Sequence, residues 1–373
     1  MITRRKFSIL ASGIGTSGLG TAGLLAGGDA HSAVPIHAND VLRMPDESEP
    51  HSRTWMGFGA SEAIWGKTLL PVVRRNLALI ANTIAKYEPV SMLVRANEID
   101  IAKGLMGKGV TLVEASLDDF WLRDTGPVFV LNQQNVKAGI KFNFNGWGSK
   151  QNHAADANVA NRVISAANVD LVKTNLVLEG GGIEVDGQGT AIITESCVLN
   201  PNRNPGLSKA SCEAELKRLL GIEKVIWLPG VVGVDITDGH TDFYARFAHP
   251  GVVVAAMDND PASSDYALTR QHLAILKNST DAKGRKLQIS TLAAPSQVRK
   301  TYDGKDFSAG YVNFYVCNGA VIMPQFGDAA ADAAAKATLQ GLFPGRAIEQ
   351  LNIDGVAAGG GGIHCATQQE PRG

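Results

Sequence analysis

The chain has 373 residues, 45% of them hydrophobic, with 35 lysines and arginines against 36 aspartates and glutamates. That is enough apolar mass for a large core in one or two domains, and a near-zero net charge excludes the basic footprint of a nucleic-acid binder. The four cysteines, Cys197, Cys212, Cys317 and Cys365, include no CxxC pair, which argues against a structural zinc site.

Arg4, Arg5 and Lys6 precede a Gly/Ala/Leu/Ser run that reaches Gly28. This is the pattern of a twin-arginine signal peptide over residues 1–33, with cleavage near Ala30 or Ala33. The glycines and serines make the run a poor membrane anchor, so the mature chain is expected in the periplasm or outside the cell, without stable membrane association. Residues 34–373 are then read as a single domain, opened by a Pro- and acid-bearing connector to about residue 50.

Beyond the connector, apolar strands at Val90–Val94 and Leu112–Val113 alternate with helical runs at Pro71–Tyr87, His153–Ala167, Lys209–Leu220 and Ala262–Leu276. The alternation predicts a mixed α/β fold. Five times, a polar or Gly-rich turn feeds a short strand: at Arg123-Asp-Thr-Gly-Pro, Glu179-Gly-Gly-Gly, Asp238-Gly-His-Thr-Asp, Gly310-Tyr-Val-Asn and Gly359-Gly-Gly-Gly-Ile-His-Cys. Four run on through hairpin turns at Asn132–Asn135, Asp186–Gly189, His249–Gly251 and Asn318–Gly319. The fifth meets the C-terminus, and a strand around Thr54–Phe58 is expected to complete it. The pattern predicts a radial array of five small modules whose polar starts converge on a centre.

The residue types at those starts point to chemistry. Cys365 follows four glycines and precedes Ala-Thr-Gln-Gln, a setting that a packing cysteine does not need but a nucleophile does. The glycine run lacks the Lys-Ser/Thr of a phosphate loop. In an extended segment His240 and Asp242 share a face, which pairs an imidazole for acid–base work with a carboxylate for a cation. The alternative there is a metal site from Asp235, Asp238, His240 and Asp242. Asp118, Asp119, Trp121, Arg123 and Asp124 offer a π face flanked by carboxylates, as a planar cation requires. Glu179 adds one more carboxylate. A thiol, an imidazole and several carboxylates select a cationic, electrophilic substrate, and a guanidinium is both.

Trp121-Leu-Arg-Asp-Thr-Gly-Pro, Phe142-Asn-Phe-Asn-Gly-Trp-Gly, Leu178-Glu-Gly-Gly-Gly, Asn200-Pro-Asn-Arg-Asn-Pro, Asp238-Gly-His-Thr-Asp and Gly362-Ile-His-Cys-Ala-Thr-Gln-Gln together resemble the agmatine deiminases. These belong with the bacterial-type peptidylarginine deiminases in the guanidino-group-modifying superfamily. The resemblance runs from about Arg43 to Pro371. It implies a five-bladed pseudo-symmetric α/β propeller, the pentein fold. It also implies hydrolysis of agmatine to N-carbamoylputrescine and ammonia through a covalent thiouronium, with no metal or organic cofactor. Carried over by position, Cys365 is the nucleophile and His240 the general acid/base, and Asp124 and Asp242 hold the guanidinium. Trp121, Glu179, Asp118 and Asn313 contact substrate. The partners implied are a small cationic guanidine and at most a second copy of the chain as a homodimer. Departures are Ser48, where the family usually has Trp in Glu-Trp-Glu-Pro-His, the Trp55-Met-Gly-Phe-Gly stretch, and Thr241 in Gly-His-Thr-Asp. The rival readings are a peptidylarginine or free-arginine deiminase with the same mechanism, an amidinotransferase, and a non-catalytic periplasmic polyamine-binding protein.

Overall fold

A computed structural model describes residues 40–301, 304 and 306–373. The expected signal peptide over residues 1–33 lies outside the described residues.

Among the described residues, sixteen strands fall into five sheets that follow one another along the chain. β1 (His51–Gly57), β2 (Val90–Val94) and β3 (Val110–Glu114) open it, but their sheet is completed only by β16 (Thr367–Pro371) at the other end. Between them lie four three-stranded blades. They are β4 (Val128–Leu131), β5 (Lys137–Lys141) and β6 (Asp170–Lys173); β7 (Ile183–Val185), β8 (Thr190–Thr194) and β9 (Lys224–Leu228); β10 (Ala245–His249), β11 (Val252–Met257) and β12 (Gln288–Ala293); and β13 (Tyr315–Cys317), β14 (Ala320–Gln325) and β15 (Ala347–Asn352). The architecture is a five-bladed α/β propeller.

Each of the four three-stranded blades repeats one pattern. An antiparallel hairpin leads, and a helical crossover then lays a third strand parallel to its second. A parallel neighbour needs such a crossover because a tight turn cannot reverse the direction twice. The crossover helices are Val159–Ala167, Lys209–Leu220, Asp265–Asn278 and Ala329–Leu342, with Glu62–Ile84 serving the blade of β1. Strands flanked by helix on one side and neighbouring blade on the other read as continuous apolar runs. β11 (Val-Val-Val-Ala-Ala-Met) and β14 (Ala-Val-Ile-Met-Pro) are of this kind, buried along nearly their whole length. The ring closes where β1 pairs antiparallel with β16, from His51 opposite Pro371 to Met56 opposite Thr367. The strand expected near Thr54–Phe58 thus joins the two ends of the chain.

The four hairpin turns lie where the sequence puts them, and Asn135, Gly187, Gly189, Gly251 and Gly319 adopt the left-handed conformation such turns demand. Helix bounds differ more. The helix read as beginning at Pro71 begins at Glu62, with a break at Gly66 (φ 64°). Pro71 lies within the helix that follows that break. Among the described residues, no helix is long and apolar enough to cross a membrane.

Candidate active site

The inner ends of the blades are not strands. Leu122–Thr125, Gly180–Gly182, Thr241–Phe243 and His364–Ala366 are single helical turns set just before the first or closing strand of a blade. Asn313 occupies the equivalent turn before β13, its amide donating to the Gly310 carbonyl. His240 and Asp242 therefore do not share a strand face. His240 caps the Thr241–Phe243 turn and Asp242 lies within it. A compact turn brings both side chains inward where alternation along a strand was expected to do so.

Convergence of these turns is direct. Asn313 Nδ2 donates to Cys365 Sγ at 3.2 Å, and Cys365 Sγ lies 3.5 Å from Asp242 Oδ2. The Gly181 amide donates to Asp124 Oδ1 at 3.1 Å. A Cβ built on Gly181 would stand 2.6 Å from His240 Nδ1, 2.9 Å from Asp124 Oδ1 and 3.1 Å from Asp242 Oδ2. Imidazole and both carboxylates thus rim a space that only a glycine leaves open. Asp242 Oδ1 is buried in that region with no hydrogen-bond partner in the described structure. A buried carboxylate oxygen left unpaired is costly, and a guanidinium N–H would remove the cost.

Electrostatics follow from this packing. Burial, then the Asp242 and Asp124 carboxylates, push the Cys365 thiol well above its usual value. Burial opposes charge on His240, but Asp124, Cys197 and Glu179 outweigh it and hold the imidazole well above its ordinary value. Burial pushes Asp124 up to about 6, with His240 pulling down and Asp242 and Glu179 adding to the rise. Burial would raise Asp242 too, but its hydrogen bond from His364 brings it below the usual carboxylate range. The site is therefore anionic around a protonated thiol, and entry of a cation favours the thiolate.

The other expected contacts are placed differently. Glu179 has no exposed surface. Its Oε1 accepts from Arg203 Nε at 3.0 Å and its Oε2 faces His240 Nε2 at 3.4 Å, so it stands behind the imidazole and orients it instead of lining the cavity. Asp118 accepts from the Ala155 and Asp156 amides at 2.7 and 3.1 Å, and it shapes that turn. Trp121 donates its indole N–H to Asp119 and lies against Gly361, where any Cβ would come within 2.2 Å of the ring. It supports the glycine loop that carries Cys365. Asp235 and Asp238 do not assemble a metal site with His240 and Asp242. Asp235 accepts from the Thr237 amide, and Asp238 pairs with Arg203 and with Lys150 at 2.6 Å. Ser48 is part of a turn whose carbonyl accepts from Arg346 Nη2 at 2.6 Å.

Several residues around the site were not among the expected ones. Trp147 donates its indole N–H to Asp124 Oδ2 at 2.9 Å, which fixes the carboxylate with Oδ1 toward Gly181. Left-handed backbone at Asn143, Gly146, Trp147, Gly148 and Ser149 turns the indole inward. The flanking glycines were the signal available in the sequence. His364, beside the thiol, bridges two carboxylates: Nδ1 lies 2.8 Å from Asp242 Oδ2 and Nε2 lies 2.9 Å from Glu47 Oε2. Glu47, from the supposed connector, is a buried hub. It also accepts from Arg246 at 2.8 Å, Arg123 at 3.0 Å and the Val316 amide at 2.8 Å. Arg246, His364 and Arg123 together outweigh burial and hold it well below the usual carboxylate range. Glu47→Ala leaves both guanidinium groups underpaired in the interior, so it is expected to cost about 3–5 kcal/mol of unfolding free energy. Urea denaturation checks this, and a loss below about 1 kcal/mol would show that the hub is not structural.

The chain matches the model of the Porphyromonas-type peptidyl-arginine deiminases over residues 43–371. The agmatine deiminase of Pseudomonas aeruginosa is 38% identical over 355 residues, which cover 89% of this chain and 96% of that protein. The structure of the Enterococcus faecalis agmatine deiminase superposes with a TM-score of 0.84 at 34% identity, covering 90% of this chain and 97% of that one. The C. jejuni agmatine deiminase with substrate bound shares the fold at 23% identity, with a TM-score of 0.80 over 89% of this chain and 97% of that one.

Proposed function

The chain belongs to the Porphyromonas-type peptidyl-arginine deiminase family, and from that premise we propose that it hydrolyses agmatine to N-carbamoylputrescine and ammonia. The observation that carries the reading is the unpaired Asp242 Oδ1, set with Asp124 Oδ1 and His240 Nδ1 around the opening at Gly181 and beside the Cys365 thiol. Two carboxylates grip the guanidinium nitrogens, and its positive charge offsets theirs. Cys365 then gives up its proton to solvent, and the thiolate forms a C–S bond to the guanidinium carbon. His240 imidazolium passes the Nδ1 proton to one amino nitrogen, the C–N bond breaks and ammonia leaves. The thiouronium on Cys365 remains. Neutral His240 takes a proton from water as its oxygen adds to the same carbon. The C–S bond breaks, the ureido product forms, and the hydroxyl proton returns the thiolate to thiol. Asn313 steadies the sulfur throughout.

The tail preference has its own support. The buried arginines Arg123, Arg203 and Arg246 are all committed to carboxylates, on Glu47, Glu179, Asp238 and Glu184. A free amino acid would bring an α-carboxylate needing such a cation, and agmatine brings none. Side-by-side ammonia release from agmatine, arginine and a blocked arginine peptide tests this. Faster turnover of either arginine compound would replace the agmatine reading with that of the rival deiminase.

Gly181→Ala is expected to lower kcat/KM for agmatine by roughly a hundredfold or more, because its methyl stands where the reacting group must sit. The left-handed conformation is not used there, but the methyl would overlap the buried His240 imidazole and Asp124 carboxylate, so unfolding free energy should also fall, by about 1–3 kcal/mol. Normal turnover by this variant would place the guanidinium elsewhere.

We also propose export by the twin-arginine route, on the strength of Arg4, Arg5 and the run to Gly28. A reporter fused behind residues 1–33 should leave the cytoplasm, and should stay there when Arg4 and Arg5 are both replaced by lysine.

A further inference from the structure

Cys197 takes no part in the reaction above, yet its thiol lies against the groups that hold His240. It has no exposed surface. Its Sγ is 3.4 Å from Glu179 Oε2, and His240 Nε2 is 3.4 Å from the same oxygen. The three donor atoms all lie within 4.8 Å of one another.

Both contacts are hydrogen bonds in the structure, the imidazole's a long one, and their lengths are also those between two ligands of one metal ion. An N–H···O bond settles at about 2.7–3.2 Å. Ligands about 2.0–2.3 Å from a tetrahedral zinc ion stand roughly 3.3–3.6 Å apart. The donor set is one thiolate, one imidazole and one carboxylate, which suits zinc or cobalt and not magnesium or calcium. The surroundings are those of a supported site. Arg203 holds the other oxygen of Glu179 at 3.0 Å and is itself paired with Asp238, so Oε2 stays aimed at Cys197 and His240. Gly182 packs directly beside them: a Cβ there would stand 3.3 Å from Cys197 Sγ and 3.8 Å from His240 Cδ2, so a larger residue would crowd the three donors.

We propose that Glu179 Oε2, Cys197 Sγ and His240 Nε2 form a binding site for a thiophilic divalent cation of the zinc type, and that filling it inhibits the enzyme. On binding, Cys197 loses its thiol proton to solvent and its sulfur ligates the ion. The Nε2 proton of His240 is displaced in the same way, and no electron is transferred. His240 is then fixed as a ligand, and its ring can no longer cycle a proton through Nδ1. The cation is an inhibitor and supplies nothing to the reaction. The inhibition rests on the deiminase reading, whereas the binding does not.

The test uses the whole enzyme with Co2+ as a spectroscopic probe and Zn2+ as the inhibitor. Cobalt should give a thiolate-to-metal charge-transfer band in the wild type and also in Cys365→Ala, where the nucleophile is gone. The band should vanish in Cys197→Ser. Relative to its own uninhibited rate, Cys197→Ser should need at least about tenfold more Zn2+ for half-inhibition, the order of loss expected when a metal site is stripped of a partner. Absence of the band in Cys365→Ala, or unchanged band and zinc sensitivity in Cys197→Ser, would overturn the proposal and put the ion on Cys365. Should Cys197→Ser fail to fold, the Cys365→Ala spectrum decides. The cobalt spectra report even if agmatine is not turned over, so loss of the deiminase reading and loss of the metal site are separate results.

Discussion

Cys365→Ala is expected to abolish ammonia release from agmatine, with kcat down by about four powers of ten or more, while agmatine still binds. The size follows from removing the only atom that can carry the covalent intermediate; nucleophile deletions in other hydrolases cost this much or more. Binding should survive because the grip on the guanidinium is carried by other residues. Asp242 is held by His364 at 2.8 Å and Asp124 by Trp147 at 2.9 Å, and neither depends on the sulfur. Calorimetric titration should therefore find agmatine affinity close to the value the wild-type KM suggests. Two results would sink the mechanism. Residual turnover within tenfold of wild type would remove the nucleophile, and complete loss of binding would make Cys365 a structural residue.

How much of this was written in the sequence depends on how far apart the partners lie along it. Cys365, His240, Asp124, Asp242 and Asn313 each sit in a short segment whose composition is odd for a core, and the structure gathers them. The five-fold repetition was legible for the same reason, since each blade is a local unit of hairpin, helix and strand. Glu47 was not. Its partners Arg123, Arg246 and His364 lie 76, 199 and 317 residues away, and nothing in an acid-rich segment marks one glutamate as buried. Arg246 likewise looks like an ordinary strand residue until its Nε meets Glu184 at 2.7 Å from the preceding blade.

Secondary structure at the centre shows a subtler gap. Asp242 was expected beside His240 through the two-residue period of a strand. The turn at Thr241–Phe243 gives the pair different directions: His240 Nε2 faces Glu179, and Asp242 Oδ2 faces His364. Glu179 changed role for a related reason. It precedes the Gly180–Gly182 turn, whose glycine Gly180 has no room for a Cβ beside the Arg123 carbonyl, 2.3 Å away. That close approach sets the carboxylate behind the imidazole. A pattern of residue types identifies what a site contains, but the direction of each side chain comes from packing between blades.

Asp242→Asn separates the two jobs assigned to this carboxylate, because they predict opposite shifts. Its charge holds the guanidinium, so kcat/KM for agmatine should fall by roughly two to four powers of ten, the equivalent of about 3–5 kcal/mol for removing one partner of a buried charge pair. Its charge also raises the Cys365 thiol, second only to burial among the causes. Neutralising it should therefore lower the thiol pKa, since the thiolate no longer faces that negative neighbour 3.5 Å away. At a fixed mildly alkaline pH below the wild-type thiol pKa, more of the variant is thiolate. Neutral iodoacetamide should then alkylate Cys365 faster in Asp242→Asn than in the wild type, even as agmatine turnover collapses. The pH profile of inactivation makes the sign explicit: the midpoint moves to lower pH while burial and Asp124 still hold it above that of an exposed cysteine. Slower alkylation together with lost turnover would mean that the substitution has merely closed the site. A rate that rises as activity falls is the outcome that only an anionic cage around a protonated thiol produces, and it locates the role of the substrate's own charge in generating the nucleophile.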